Sequence, residues 1–366
     1  MMVSTYYLLT IFRIKEKSNL LGISLLISTI LIYLTVYRLT TIPKTMECIS
    51  LYQRPHENHR IKIKPFKHSF PFEELESNDF TKLVNLTNFS FTNVNESVCK
   101  EADVLLLVLV PSAPKNGKKR EAIRKTWGYA AKDTKVLFML GISSDEGVER
   151  AVQEESSIHK DIVQGNFIDA YTNMTYKAVM SLKYAIYYCP EASYILKADD
   201  DSFVNMPFLR NFLRHDVSPY GAENLFLCND MSGSPALRDP TSKWYVPEQD
   251  FPDKFFPSYC SGWYAVFTPD ICFKLYREAQ KLKYLYIDDA FVYGIAGKKG
   301  GVKHVDFAYY TLAYRDLRLL WNGTYDDLPI MFGSPNMGPD LIYKAYDYFR
   351  DKPVKQSINK QLGNVD

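Results

Sequence analysis

Asp199, Asp200 and Asp201 follow one another directly, at the end of the β-prone run Tyr194–Leu196 in SYILKADDDSFVN. Adjacent carboxylates repel, and they are best tolerated where a cation or a set of donors sits between them. A hard divalent ion held through oxygen is the chemistry such a triplet suits. A second acidic pair, Asp288 and Asp289 in YIDDAFVYG, offers a general base, or else an ordinary cap on a helix N-terminus. Arg120 and Arg124 in KKREAIRKTWG are four residues apart. They therefore share a helical face from which both could reach an anion, the alternative being a solvated basic helix. His159 and His304 have no partner at ligand spacing and read as structural, and no Ser/His or Cys/His nucleophile arrangement is recognisable.

Elements must bring these groups together. At Val104 the sequence turns into VLLLVLV, a continuous apolar run of the kind found in a parallel strand buried on both faces. KVLFML (Lys135 to Leu140) and DIVQGNF (Asp161 to Phe167) read as further strands. Between them, Ser143 or Ser144 followed by Asp145 and Glu146 opens a helix. Ala178, Val179, Leu182, Ala185 and Ile186 recur with a 3.6-residue period on the helix that leads into the strand before the aspartates. This β/α alternation predicts an α/β fold with a mostly parallel sheet flanked by helices, and ligands in such sheets bind beyond the carboxyl ends of the strands. The triplet falls at such an end.

The 366 residues, 46% hydrophobic and 14% aromatic, suffice for a large core. Lys plus Arg number 44 against 42 Asp plus Glu, so no electrostatic footprint for nucleic acid exists. The charge-free run Leu20 to Tyr37 follows Arg13, Lys15 and Lys17 and predicts a type II signal anchor with a lumenal remainder, a cleaved signal peptide being the alternative. Five N-glycosylation sequons, at Asn85, Asn88, Asn95, Asn173 and Asn322, all lie downstream of it. Six cysteines without metal spacing read as disulfide partners in an oxidising lumen. Five of them lie at or beyond Cys99, so one is left over, pairs with Cys48, or joins another chain in a disulfide- or stem-mediated dimer. The expected organisation is a tail (1–19), an anchor (20–37), a proline-dotted stem (38–100), a catalytic domain (101–310) and a C-terminal extension (311–366) to which no role is assigned.

Four segments taken together carry a family resemblance: KKREAIRKTWG, DAYTNMTYKAVMSLKYAIYYCPEASYILKADDDSFVN, KWYVPEQDFPDKFFPSYCSGWYAVFT and YIDDAFVYG. In order and spacing the chain resembles the β-1,3-galactosyltransferase and β-1,3-N-acetylglucosaminyltransferase family of Golgi enzymes over roughly Asp103 to Val305. The resemblance implies a nucleotide-diphospho-sugar transferase (GT-A-like) fold and an inverting, Mn²⁺-dependent transfer of galactose, or an N-acetylhexosamine, from a UDP-hexose. The acceptor would be the glycan of a glycoprotein or glycolipid, and the setting the Golgi membrane. It implies Asp201 as direct metal ligand with Asp199 beside it, Asp199 and Asp200 against the donor, Arg120 and Arg124 seating the UDP, and the general base in the Asp288–Asp289 pair. Lys177 and Asn173 fall at matching family positions. Trp244, Gly262 and Trp263 are candidates for the acceptor pocket, and Trp127 reads as core packing rather than a uracil platform. The chain departs from the family in having Ala290 for valine, one extra residue before Gly294, and bulky Trp263 after Gly262. A non-catalytic anchored chaperone or lectin on the same fold is one rival, and a magnesium-dependent phosphohydrolase another.

Overall fold

The computed structural model describes residues 70–100, 103–129, 131–312, 316–317, 321 and 329–350, all within the unit Leu51–Asp366. The expected anchor, Cys48 and Asn322 lie outside them, and among the described residues no helix is long and apolar enough to cross a membrane.

Eight strands form one sheet: β1 (Phe91–Asn93), β2 (Leu106–Pro111), β3 (Thr134–Ile142), β4 (Ile162–Ile168), β5 (Tyr194–Ala198), β6 (Phe226–Asp230), β7 (Cys260–Phe267) and β8 (Val305–Asp306). Their order is β1-β4-β3-β2-β5-β7-β6-β8. The apolar run at Val104 becomes β2, buried throughout because β3 and β5 pair with it in parallel on both edges. Strands β4, β3, β2 and β5 form the parallel centre, whereas β1 joins β4 and β7 joins both β5 and β6 in antiparallel pairs. The sheet is therefore mixed: the centre and the β6–β8 pair are parallel, and the antiparallel pairs are β1–β4, β5–β7 and β7–β6.

Helices α1 (Gly117–Lys125), α2 (Glu146–His159), α3 (Met174–Tyr188), α4 (Met206–Phe212) and α5 (Pro269–Ala279) connect the strands. The start of α2 is set by Asp145, whose carboxylate accepts from the amides of Gly147 and Val148 at 2.7 and 3.1 Å. From β2 the chain proceeds outward to β3 and β4, and α3 then carries it back to β5 on the other edge of β2. The strand order reverses between β2 and β5, which opens a crevice at their carboxyl ends. Leu109 is registered opposite Lys197, so Ser112 and Asp200 leave the sheet side by side.

The expected stem ends earlier than residue 100, because residues 70–100 are part of the folded domain. Leu83, Val84 and Phe89 are buried, β1 extends the sheet, and Cys99 is bonded to Cys189 at the end of α3. Asp79 is buried and accepts from the hydroxyls of Tyr187 and Tyr276 at 2.8 and 2.7 Å and from Gln280 Nε2 at 2.8 Å. Lys183 Nζ stands 3.5 Å from the same carboxylate, its pKa lowered to about 8 by burial although Asp79 opposes the shift. A strap held at such irregular points has no period to read.

The C-terminal extension also enters the fold. Gly333 N donates to Phe203 O at 2.7 Å and Met337 N to Asp201 O at 2.8 Å. A second disulfide joins Cys228 to Cys260, and Cys272 is a buried free thiol. His304 lies beside that disulfide, but both sulfurs are spent on each other and its Nε2 meets Asp230 Oδ1 at 2.8 Å, so this cluster is structural.

Candidate active site

A cavity of about 350 Å³ opens at the crevice between β2 and β5, lined among others by Ser112, Asn116, Lys119, Asp169, Tyr171, Lys177 and all three aspartates. The triplet does not converge on a single point. Asp200 is buried, and accepts from Ser112 Oγ at 2.7 Å, Asn116 Nδ2 at 2.8 Å and Lys119 Nζ at 3.0 Å. It is the anchor that ties the β2–α1 loop to the end of β5. Lys119 also reaches Asp201 Oδ2 at 3.2 Å. Burial alone would lower the pKa of this ammonium, but Asp200 and Asp201 together raise it, so it stays charged.

Asp199 turns toward β5, where Lys197 Nζ meets Oδ1 at 2.5 Å, and its amide donates to Trp263 O on β7 at 3.0 Å. Its recessed position pushes its carboxyl up to about 6, with Asp201 and Asp288 adding to the shift and Lys197 opposing it. Burial would lower the Lys197 pKa too, yet Asp199, Asp288 and Asp289 raise it. One ammonium thus sits in the field of three carboxylates, which links the triplet to the second acidic pair.

Asp288 and Asp289 precede a π-helix, Ala290–Ala296, that runs on into α6 (Gly297–Lys299). A single inserted residue in a helix produces such a wide turn. The extra residue before Gly294 is therefore taken up by the π-turn. Gly294 packs so close that an added Cβ would lie 3.1 Å from Tyr259 Cβ. Asp289 Oδ1 accepts from the Ala290 amide at 2.7 Å, and a Cβ on Gly262 would stand 3.2 Å from Oδ2. Burial and the neighbouring Asp288 carboxylate push Asp289 up to about 7, and Asp288 is raised by burial against the pull of Lys197. An acid held near neutrality suits general-base work.

The arginines are placed differently from expectation. Arg120 is 1% exposed and bonds Glu155 through Nε and Nη2, Ser112 Oγ and Ala113 O through Nη1, and Pro114 O through Nη2. Its guanidinium shapes the β2–α1 loop from beneath and has no donor left for UDP. Arg124 forms a fork with Asp161 at 2.7 and 2.8 Å, pairs with Glu155 at 2.7 Å and lies over the Phe138 ring. The two share a face, as i, i+4 spacing requires, but it is turned to α2 and β4. The cations at the cavity are instead Lys119 and Lys177; Lys177 Nζ donates to Ser112 O at 2.7 Å and pairs with Asp169 at 2.8 Å. Lys119 adjoins Arg120 in the basic stretch, and only the end-on view of α1 distinguishes them.

Trp127 is buried, as expected. Trp263 is buried edge-to-face against Tyr264, and Trp244 is half-exposed under Lys243 Nζ at 4.4 Å. Of the sequon asparagines, Asn88 is exposed, Asn85 accepts from Tyr176 OH at 2.7 Å, Asn95 donates to Lys160 O at 3.1 Å, and Asn173 donates to Ile168 O at 2.8 Å at the mouth of α3.

This arrangement sets cations and carboxylates side by side at a sheet's switch point, where an anionic ligand and a proton acceptor could both be accommodated. A family model described as galactosyltransferase matches residues 118–308. Over 260 residues the chain is 36% identical to the lactosylceramide 1,3-N-acetyl-beta-D-glucosaminyltransferase of Xenopus tropicalis, covering 65% of this chain and 68% of that one. Against beta-1,3-galactosyltransferase 1 of Mus musculus the identity is 30% over 265 residues, covering 69% and 79%. Among solved structures, galactosyltransferase LgtC with donor and acceptor sugar analogs overlaps 67% of this chain and 94% of its own, with 11% identity and a TM-score of 0.35, too loose to carry an argument. The chain belongs to the galactosyltransferase family, as its four segments imply, and the protein is a glycosyltransferase.

Proposed function

We propose that the protein transfers galactose, or an N-acetylhexosamine, from a UDP-sugar to a glycan acceptor on protein or lipid in β-1,3 linkage, with inversion. The relatives' names support the linkage. The observation that carries the mechanism is the recessed set Asp199, Asp288 and Asp289 around Lys197, beside a cavity with its own cations. An α-linked donor giving a β-linked product needs one in-line displacement and one general base. Asp289 takes that role: Oδ1 is fixed by the Ala290 amide and Oδ2 overlies the space Gly262 leaves. It accepts the acceptor hydroxyl's proton as the bond to the anomeric carbon forms and the diphosphate leaves.

The donor set fits a hard divalent cation, manganese in our reading. Lys119 meets Oδ2 of Asp201 and Lys197 meets Oδ1 of Asp199, so each carboxylate keeps a second oxygen, and both line the one cavity. Bound by Asp201 with Asp199 beside it, such an ion would neutralise charge on the departing UDP. Lys119 on α1 and Lys177 on α3 add fixed positive charge at the same mouth, and Asp200 holds the β2–α1 loop beside them. Leu20 to Tyr37 and the sequons support a type II anchor in the Golgi membrane.

The test is UDP release from a panel of UDP-sugars by the purified lumenal portion, with Mn²⁺ and with chelator. One donor should be turned over in the presence of metal and glycan acceptor; release from none of them in any condition sinks the proposal.

A further inference from the structure

Tyr171 occupies the joint between the two halves of the site. It lies in the 3₁₀ turn Tyr171–Asn173 that leads into α3, its side chain lines the cavity holding the aspartate triplet, and it is 48% exposed. On the other side its hydroxyl lies in the field of Asp288 and Asp289. The ring is not free to swing. Tyr286, two residues before the acidic pair, meets it edge-to-face with centroids 6.1 Å apart at 67°. The surrounding backbone is cross-tied, since Tyr284 OH donates to Thr172 O at 2.6 Å and Thr175 Oγ1 to Leu285 O at 2.6 Å. Tyr286 OH in turn bonds Tyr245 O, next to half-exposed Trp244. Two aromatic rings, Tyr171 and Tyr286, thus stand in contact between the cavity and the segment that carries the candidate base.

A fixed, half-exposed ring beside carboxylates has the chemistry of a sugar subsite. A pyranose presents an apolar C–H face that packs on an aromatic ring, while its hydroxyls are left for acidic acceptors. Burial and the two acids push the Tyr171 hydroxyl up to about 12, so it remains a neutral donor. We propose that Tyr171 is the platform on which the acceptor's terminal hexopyranose stacks, presenting the attacking hydroxyl to the Asp288–Asp289 pair. The assignment rests on the transferase reading of the site and names the residue that would fix acceptor geometry. The acceptor is favoured over the donor as occupant because the ring's partner, Tyr286, belongs to the segment bearing the base.

The experiment compares wild type, Tyr171→Ala and Tyr171→Phe in two measurements. In the first, saturation-transfer NMR is recorded for lactose, methyl β-galactoside and methyl β-N-acetylglucosaminide, with UDP and Mn²⁺ present. Wild type and Tyr171→Phe should give transfer to the ring C–H protons of at least one sugar, and Tyr171→Ala should lose it. In the second, the acceptor KM should rise about tenfold in Tyr171→Ala and return to within about threefold in Tyr171→Phe, the scale of a lost ring stack. The rise in acceptor KM should exceed any fall in acceptor-independent UDP release. Undiminished transfer in Tyr171→Ala, no transfer to any of the three sugars in wild type, or an equal loss of acceptor-independent UDP release overturns the assignment. If wild type binds sugar through Tyr171 but releases UDP from no donor, the platform stands and the transferase reading fails.

Discussion

A Cβ added to Gly262 would stand 3.2 Å from Oδ2 of Asp289, closer than the carboxylate can accept without moving a few tenths of an ångström. The glycine on β7 therefore sets the position of the candidate base. Gly262→Ala should lower kcat by about tenfold to a hundredfold while the urea midpoint changes little, because small displacements at a reacting centre are costly. Wild-type kcat in this variant would show that Asp289 can shift without consequence.

Asp289→Asn should reduce turnover by roughly two to four decades with donor KM little changed. Asp288→Asn should cost far less, and the reverse ranking would move the base by one position. The pH profile follows from the raised pKa of Asp289, about 7. A base must be ionised, so kcat/KM should fall as pH drops through that value.

The same carboxyl makes a stability prediction of opposite sense. A carboxyl whose folded pKa lies above its unfolded value holds its proton more tightly when folded. Its stabilising contribution is complete at pH below the unfolded value near 3.8 and is lost as pH rises through about 7. Asp289→Asn cannot ionise and escapes that loss. Its Tm should exceed wild type at pH 8, and the gap should close toward pH 4; a gap that widens on acidification contradicts the burial of this group.

Arg120→Ala should act on the fold. Removing a guanidinium that is 1% exposed and paired with Glu155 leaves a carboxylate without its main partner, at a cost of about 3 to 5 kcal/mol in urea unfolding. Lys119→Met should also cost stability, since it takes the cation from buried Asp200, but it should in addition raise donor KM by about tenfold or more in the folded protein, because Lys119 lies at the cavity. Selective loss of donor binding in the Arg120 variant would return it to the site.

Chelation should abolish transfer, and Asp201→Ala should weaken Mn²⁺ and UDP binding measured by calorimetry without unfolding the domain. Full activity in excess chelator removes the metal from the mechanism.

The sequence disclosed the parallel centre of the sheet because VLLLVLV is apolar on both faces, as a strand of the sheet's interior must be, and strand-like runs alternate with helical ones after it. The triplet's location followed from that alone. Its partners did not, since Asp200 is neutralised by Ser112, Asn116 and Lys119 from a loop remote in sequence, and periodicity says which residues share a face without saying what the face meets. Spacing and resemblance therefore point to Arg120 and Arg124 for UDP and give no sign of Lys119. Residues 70–100 read as a stem in the sequence because their anchors, among them Asp79, Leu83 and Phe89, recur at no fixed interval. The contacts of Tyr286 with the Tyr171 ring and with Tyr245 O join three segments that only the fold makes neighbours.

The bond from Met337 N to Asp201 O, with Gly333 N on Phe203 O, closes the turn carrying the triplet with backbone made far downstream. A chain emerging from the ribosome at about 5 to 20 residues per second would form its central strands well before that backbone exists. The turn at Asp201 would then wait, open, for the last part of the polypeptide. Messages interrupted before codon 330 should yield products with most of the sheet but an unclosed aspartate turn, and such products would be substrates for the cell's folding quality control rather than slow enzymes.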